Sequence, residues 1–285
     1  MPDGSARPSR AEAAEAAEAR LLEVLAGHEG LTIAVSGGID SMTLAWIAHR
    51  HGAEKVRMVH AVSPAVPPAA SARVRAYADR EGWDLHVVEA GEFGDPDYLK
   101  NPVNRCYFCK TNLYDRLSGL AVGVIASGAN VDDLGDYRPG LQAAAERDVV
   151  HPFVKAGIGK SDIRALARRH GLTDIADLPA QPCLASRVET GIAIDADDLA
   201  FIDRVETRLR DRFGETRTIR CRVTAAGVAV EADEQLAGSF EAMGRMIAPD
   251  CDAAGHTFLG VRPYRRGSAF LHGGETAPGH ESGGA

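Results

Sequence analysis

The sequence predicts an α/β protein, with a doubly wound parallel sheet followed by a smaller C-terminal α/β domain. Three observations predict it. From Leu31 to about Cys183, short apolar runs alternate with helix-forming stretches, as in a parallel sheet wrapped by helices. The first run, LTIAV, stops at Ser-Gly-Gly and opens directly into an apolar helix-like segment. After Cys183 the rhythm changes to one long amphipathic helix, a hairpin-like pair of alternating segments, then a helix and a final strand.

Each element has a local reason. Residues 1–10 are expected to be disordered, and Ala11 to Ala26 is a run of strong helix formers. Strands are expected at 31–35, 55–62, 84–90 and 123–129, with VVHPF (149–153) as a short fifth. Helices are expected from Ser41, at 69–82 with Gly82 ending it, at 109–121, at 139–147 and at 160–171. In the last of these, Ser161 is the expected N-cap and Gly171 lies just past the end. Beyond Cys183, residues 195–214 form the long helix, 218–233 the hairpin, 235–249 a helix and 256–270 a final strand and loop. The expected organisation is a first domain over 11–187, a second domain over 188–270, and a disordered Gly-rich tail over 271–285.

Composition narrows the classes. A chain of 285 residues suits one large domain or two modest ones. No apolar run approaches the ~20 residues of a membrane span, and the N-terminus lacks a signal-peptide core. A cytoplasmic protein without a membrane partner is expected. A net charge of −8 disfavours a broad nucleic-acid surface but leaves room for a local basic pocket. Five cysteines, Cys106, Cys109, Cys183, Cys221 and Cys251, are an odd number, and two form C-x-x-C. That favours metal or redox chemistry over structural disulfides.

The segment SGGIDS, Ser36 to Ser41, joins the first strand to its helix. Its glycines allow a tight turn and close approach of backbone to ligand, and the helix N-terminus offers free N–H groups and partial positive charge. Ser36 and Ser41 add hydroxyl donors. Asp40 would repel a phosphate, so it holds a metal accompanying the phosphates or caps the helix. There is no Walker lysine and no G-x-G-x-x-G. The stretch resembles the PP-loop of the ATP pyrophosphatase (adenine nucleotide alpha hydrolase) superfamily, which has a Rossmann-like fold and splits ATP into AMP and pyrophosphate to adenylate an oxygen. The resemblance implies that Ser36, Gly37, Gly38, Asp40 and Ser41 cradle the pyrophosphate end of ATP, with Mg²⁺ at Asp40, and that adenine lies around His60 to Ser63.

Cys106 and Cys109 in NRCYFCK can place two thiolates on one metal. Cys183, in the Pro-rich QPCLASR, is a third. Three cysteines with one open position suit an iron–sulfur cluster with a free iron corner. Arg105 and Lys110 flank the pair and are expected to lower its thiol pKa values. Cys221, alone in a strand, reads as a core residue, and Cys251, alone in a loop, as structural or incidental.

The runs NPVNRCYFCK, ASGANVDDLGDYRPGLQAA, KSDIRALARRHGL and PAQPCLASRVETG, in this order, closely resemble the LarE family over about residues 30–270. LarE enzymes are ATP-dependent sulfur transferases of nickel-pincer nucleotide biosynthesis. The resemblance implies adenylation of pyridinium-3,5-biscarboxylic acid mononucleotide and its conversion to a thiocarboxylate, in a homo-hexamer. It also implies two routes for sulfur. In one subgroup the cysteine matching Cys183 gives up its own sulfur and becomes dehydroalanine. In the other, Cys106, Cys109 and Cys183 hold a 4Fe–4S cluster, and the presence of all three favours this route.

Further candidates surround these. Asp132, Asp133, Asp136 and Arg138 lie just past a strand, where ligands of open sheets bind; the resemblance places this loop at the nucleotide. Arg220 and Arg222 share a strand face and, with Ser186, Arg187 and Arg265 (or Arg266), are expected to hold the substrate phosphate. Glu206 and Glu231 are weaker candidates for metal or substrate contacts. An ammonia-using synthetase and a tRNA thiolase are the competing enzyme readings, and a nucleotide sensor or iron–sulfur binding protein the non-catalytic one. The first competitor needs no cysteine triad, and the second sits poorly with an acidic chain. The sulfur donor is not indicated.

Overall fold

The computed structural model describes residues 9–52, 54–135 and 138–265. The first half contains α1 (Arg10–Ala26), β1 (Gly30–Ala34), α2 (Ile39–Ile47), β2 (Lys55–Val62), α3 (Pro68–Glu81), β3 (Asp84–Glu89), α4 (Pro96–Leu99), α5 (Arg105–Ser118) and β4 (Val124–Ala126). Then come α6 (Pro139–Ala145), α7 (Pro152–Lys155), α8 (Lys160–Arg169) and α9 (Thr173–Ala176). The second half contains α10 (Ala196–Phe213), β5 (Ile219–Thr224), β6 (Gly227–Ala232), α11 (Phe240–Ala253) and β7 (Phe258–Pro263).

Strand β1 lies inside the first sheet, whose order is β3-β2-β1-β4. Its neighbours are both parallel to it, Leu31 facing Val56 on one side and Val124 on the other. Four of its five residues are buried, as expected of a strand covered by helices on both faces. The chain turns one way from β1 to β2, and β4 lies on the other side. The crevice beyond the C-terminal ends of β1 and β4 is therefore the switch point where such sheets bind ligands.

The first core joins β1, α1, α2 and α8 through Leu21, Leu25, Leu31, Ile33, Leu44, Ile163 and Leu166. The second joins α10, α11 and the sheet β5-β6-β7, in which β5 is antiparallel and β7 parallel to β6. It also takes in Ala65, Tyr98, Leu184 and Ala185. The 3₁₀ turn Leu184–Arg187, at the expected end of the first domain, is thus already packed into the second core. Among the described residues, no helix is long and apolar enough to cross a membrane.

Four local expectations are corrected. VVHPF is no fifth strand: only Val150 bridges Ala126, and Pro152, lacking an N–H, opens α7. Ser161 does not cap α8. Gly159 is the N-cap, and its N–H donates to Asp162 Oδ2 at 3.2 Å. Helix α5 starts at Arg105, so Cys106 and Cys109 are both helical. Helix α11 continues through Pro249 to Ala253, with Cys251 buried one turn beyond Ile247. Residues 1–8, Asp136, Arg266 and the tail lie outside the described residues.

Candidate active site

The glycine loop folds as it does because Gly37 adopts φ +78°, and a Cβ there would lie 2.6 Å from the Ala70 carbonyl oxygen. Ser36 N donates to Ser41 Oγ at 3.0 Å, and the two hydroxyl oxygens are 3.1 Å apart. Across the crevice, Gly128 lies so close that a Cβ would be 2.7 Å from Ser41 N. Gly38 is the N-cap of α2 without a side-chain cap, so Asp40 does not serve as one. It pairs with Lys160 at the first residue of α8. Burial pushes the Asp40 carboxyl up despite that lysine, and Asp40 Oδ1 is buried with no hydrogen-bond partner. Two helix N-termini, a lysine and an unsatisfied carboxylate oxygen thus meet at the switch point, which fits phosphates accompanied by a cation.

Other expected ATP residues are committed elsewhere. His60 is fully buried, its Nδ1 2.8 Å from Val35 O and its Nε2 2.8 Å from Ser71 Oγ. With both ring nitrogens engaged, it braces the end of β1. Ser63 Oγ accepts from Ala65 N at 3.2 Å within a turn. Asp132 Oδ2 accepts from Lys160 N at 2.6 Å, and Asp133 accepts from Asn130 and pairs with Arg138. These two acids shape the loop and the start of α8.

The three cysteines come together. Cys106 is exposed, and Cys109 and Cys183 are half-buried. Although Cys106 is exposed at the surface, the protein packed around it takes water from its thiol and, with the neighbouring Cys183, pushes the thiol up. Burial also pushes the Cys109 thiol up to about 12, with Cys183 and Cys106 close enough to add to it and Lys110 opposing. The expected lowering by Arg105 and Lys110 is therefore outweighed. Beside Cys109 and Cys183, Tyr98 Oη is buried with no hydrogen-bond partner, as is Glu92 Oε2 near Cys109. Three converging soft donors next to orphaned polar atoms fit a thiolate-held group. Cys221 and Cys251 are fully buried in the second core.

The Cys183 loop is tied to the glycine loop. Arg73 on α3 donates to Gly37 O at 2.7 Å and to Gln181 Oε1 at 3.1 Å, and Leu184 N donates to Ala65 O at 2.8 Å. Lys160, Arg73 and Tyr98 complete the site and were missed in the sequence. Only the placement of Lys160 at a helix start could have flagged it.

The expected phosphate arginines are instead clamps. Arg187 is 3% exposed and binds Glu206 through Nε (2.8 Å) and Nη2 (2.9 Å), while Nη1 holds the carbonyls of Pro182 and Cys183 and Ser186 Oγ. Arg220 donates to Ile219 O and Ala180 O. Arg222 donates to Glu231 and to Ser186 O. Ser186 Oγ itself donates to Cys183 O at 2.7 Å. Glu206 is fully buried and accepts from Arg187, Arg210 and Cys221 N, leaving no room for a metal. Glu231 is filled by Arg222 and Arg262. Arg265 is exposed, just beyond Tyr264, whose N–H donates to Ala232 O.

No family model matches the chain. An uncharacterized protein of Synechocystis is 40% identical over 182 residues, 62% of this chain and 68% of the relative. An uncharacterized protein of Methanocaldococcus jannaschii is 28% identical over 210 residues, 72% of this chain and 79% of the relative. The pyridinium-3,5-bisthiocarboxylic acid mononucleotide synthase of Lactiplantibacillus plantarum is 28% identical over 228 residues, 78% of this chain and 82% of that enzyme.

Proposed function

We propose that the chain is a LarE-like PP-loop ATP-dependent sulfur transferase that inserts sulfur into pyridinium-3,5-biscarboxylic acid mononucleotide in nickel-pincer nucleotide biosynthesis, a reading its similarity to the Lactiplantibacillus plantarum synthase supports. One observation carries the reading: Cys106, Cys109 and Cys183 converge on a loop that Arg73 ties directly to the glycine loop.

The glycine loop and the starts of α2 and α8 hold the ATP phosphates, and Lys160 turns from Asp40 to the departing pyrophosphate. Asp40 Oδ1 would hold Mg²⁺, which supplies charge neutralisation there. A substrate carboxylate oxygen attacks the α-phosphorus, pyrophosphate leaves, and the acyl-adenylate forms. Sulfur then attacks the acyl carbon and AMP leaves, giving the thiocarboxylate. Cys106, Cys109 and Cys183 would hold a 4Fe–4S cluster, which when bound would supply the sulfide that becomes the thiocarboxylate sulfur. Arg187 and Ser186 fix the Cys183 carbonyl, and so the position of its thiol. A homo-hexamer, implied by the family resemblance, belongs to the same reading and is checked by light scattering.

Anaerobic purification tests the cluster. About four irons per chain, lost in Cys106→Ala, is the expected result. Iron-free protein whose Cys183 loses the mass of H₂S on turnover would transfer the chemistry to that residue alone. Pyrophosphate release that ignores the dicarboxylate would overturn the function itself.

A further inference from the structure

A second group of ligand-type side chains lies on three other segments. Glu18 on α1, His51 in the π-helical turn Ala48–Gly52, and His170 at the C-cap of α8 each present one ligand atom, all within 4.8 Å of one another. We propose that these three residues bind a divalent first-row transition ion of the Zn²⁺ type, with a fourth position left to water.

The geometry is that of ligands rather than of a plain ion pair. His170 Nε2 lies 2.8 Å from Glu18 Oε1, yet it has no hydrogen-bond partner. Both atoms also lie within 4.8 Å of the ligand atom of His51. The other carboxylate oxygen of Glu18 accepts from Arg169 Nε at 2.9 Å. That outer contact fixes the carboxylate and reserves Oε1 for the ion, as outer-shell partners do in metal sites. The His170 side chain is only 12% exposed, so its ring is held in place by the packing around it.

The rings are also preset. The indole of Trp46 packs 4.6 Å from the His170 ring and 5.7 Å from that of His51, and the two imidazoles are 5.8 Å apart. In an uninterrupted α-helix, His51 would point about 140° away from Trp46. The wider π turn, with its i→i+5 spacing, brings His51 round to the same side. The distortion thus supplies the third ligand. Arg50 and Arg169 are the nearby cations, so affinity comes from coordination and not from a negative field.

An ion here would clip α1, the end of α2 and α8 together. The full chain is dialysed against Zn²⁺, and bound metal is counted. Wild type is expected to hold one equivalent more than His51→Ala or Glu18→Gln. A Cys106→Ser/Cys183→Ser variant is expected to keep that equivalent, which separates it from zinc on the cysteines. His51 is exposed, so its alanine variant leaves the core intact. Arg169→Gln is expected to weaken binding about tenfold. Cu²⁺ provides an independent readout, because it should quench Trp46 in wild type and not in His51→Ala. Equal zinc content and equal quenching in wild type and His51→Ala would overturn the site and leave a simple His–Glu contact.

Discussion

At the end of β1, polar groups gather with capacity left over. Asp40 keeps one buried oxygen without a partner, and Lys160 spans from one helix start to another. Behind Cys183 the opposite holds. Arg187 makes five donations, Arg220 and Arg222 are tied to carbonyls and Glu231, and Glu206 accepts from two arginines and a backbone N–H. Both clusters would satisfy a search for charged residues near a cleft. A network that has closed on itself holds a shape, whereas one that has not awaits a ligand. Saturation, not charge, separates the scaffold from the site.

The largest effect expected from this contrast is on stability. Glu206→Ala would leave Arg187 and Arg220 buried, and Arg210 half-buried, around a missing charge, costing about 3–5 kcal/mol. Denaturant unfolding measures it, and a loss under about 1 kcal/mol would erase the distinction between the clusters. The pH dependence follows. Burial works to raise the Glu206 carboxyl, but Arg187, with Arg220 and Arg210, outweighs it and holds the group below the usual range. The pair's contribution is therefore complete above the unfolded value, about 4.3, and is lost as pH falls through the lower folded value. Wild type should show this acid-limb loss, and Glu206→Ala should lack it.

On the other side of the comparison, Lys160→Met should cost rate and little stability. Asp40, already pushed up by burial, can take a proton when its partner goes. Pyrophosphate release should fall about 10²- to 10³-fold, the usual loss of a positioned electrostatic contact. An unchanged rate would return the Asp40–Lys160 pair to the scaffold.

The same contrast explains what could be read in the sequence. The glycine loop is local: Ser36 to Ser41 carry strand end, turn and helix start within six residues, and backbone does most of the binding. The alternation of strand and helix was equally local, and so were the β5-β6 hairpin and the core position of Cys221. Pairing was not. Arg187 meets Glu206 across 19 positions, and Lys160 meets Asp40 across 120, so no spacing announces either. His60 misled for the same reason. Its position at the end of β2 suits a ligand, but Val35 and Ser71 occupy both ring nitrogens. VVHPF had the composition of a strand, yet Pro152 turned its end into a helix start.

Under the proposed function, with Arg187, Arg220 and Arg222 in the scaffold, the phosphate of the mononucleotide would need another cation. Arg265 is exposed and follows the last anchored residue of the C-terminal strand region. Tyr264 beside it is near enough to Arg187 and Arg220 to influence both, so the chain returns to the Cys183 loop at this point. Arg265→Gln would remove one charge-assisted contact, worth about 1.5–3 kcal/mol, and raise KM for the mononucleotide at least about tenfold. Adenylation at saturating substrate should stay near wild type, because a contact to a non-reacting phosphate strengthens ground and transition states alike. A fall in kcat without a change in KM would instead place Arg265 at the chemistry, and the division between a saturated scaffold and an open site would need a second open region.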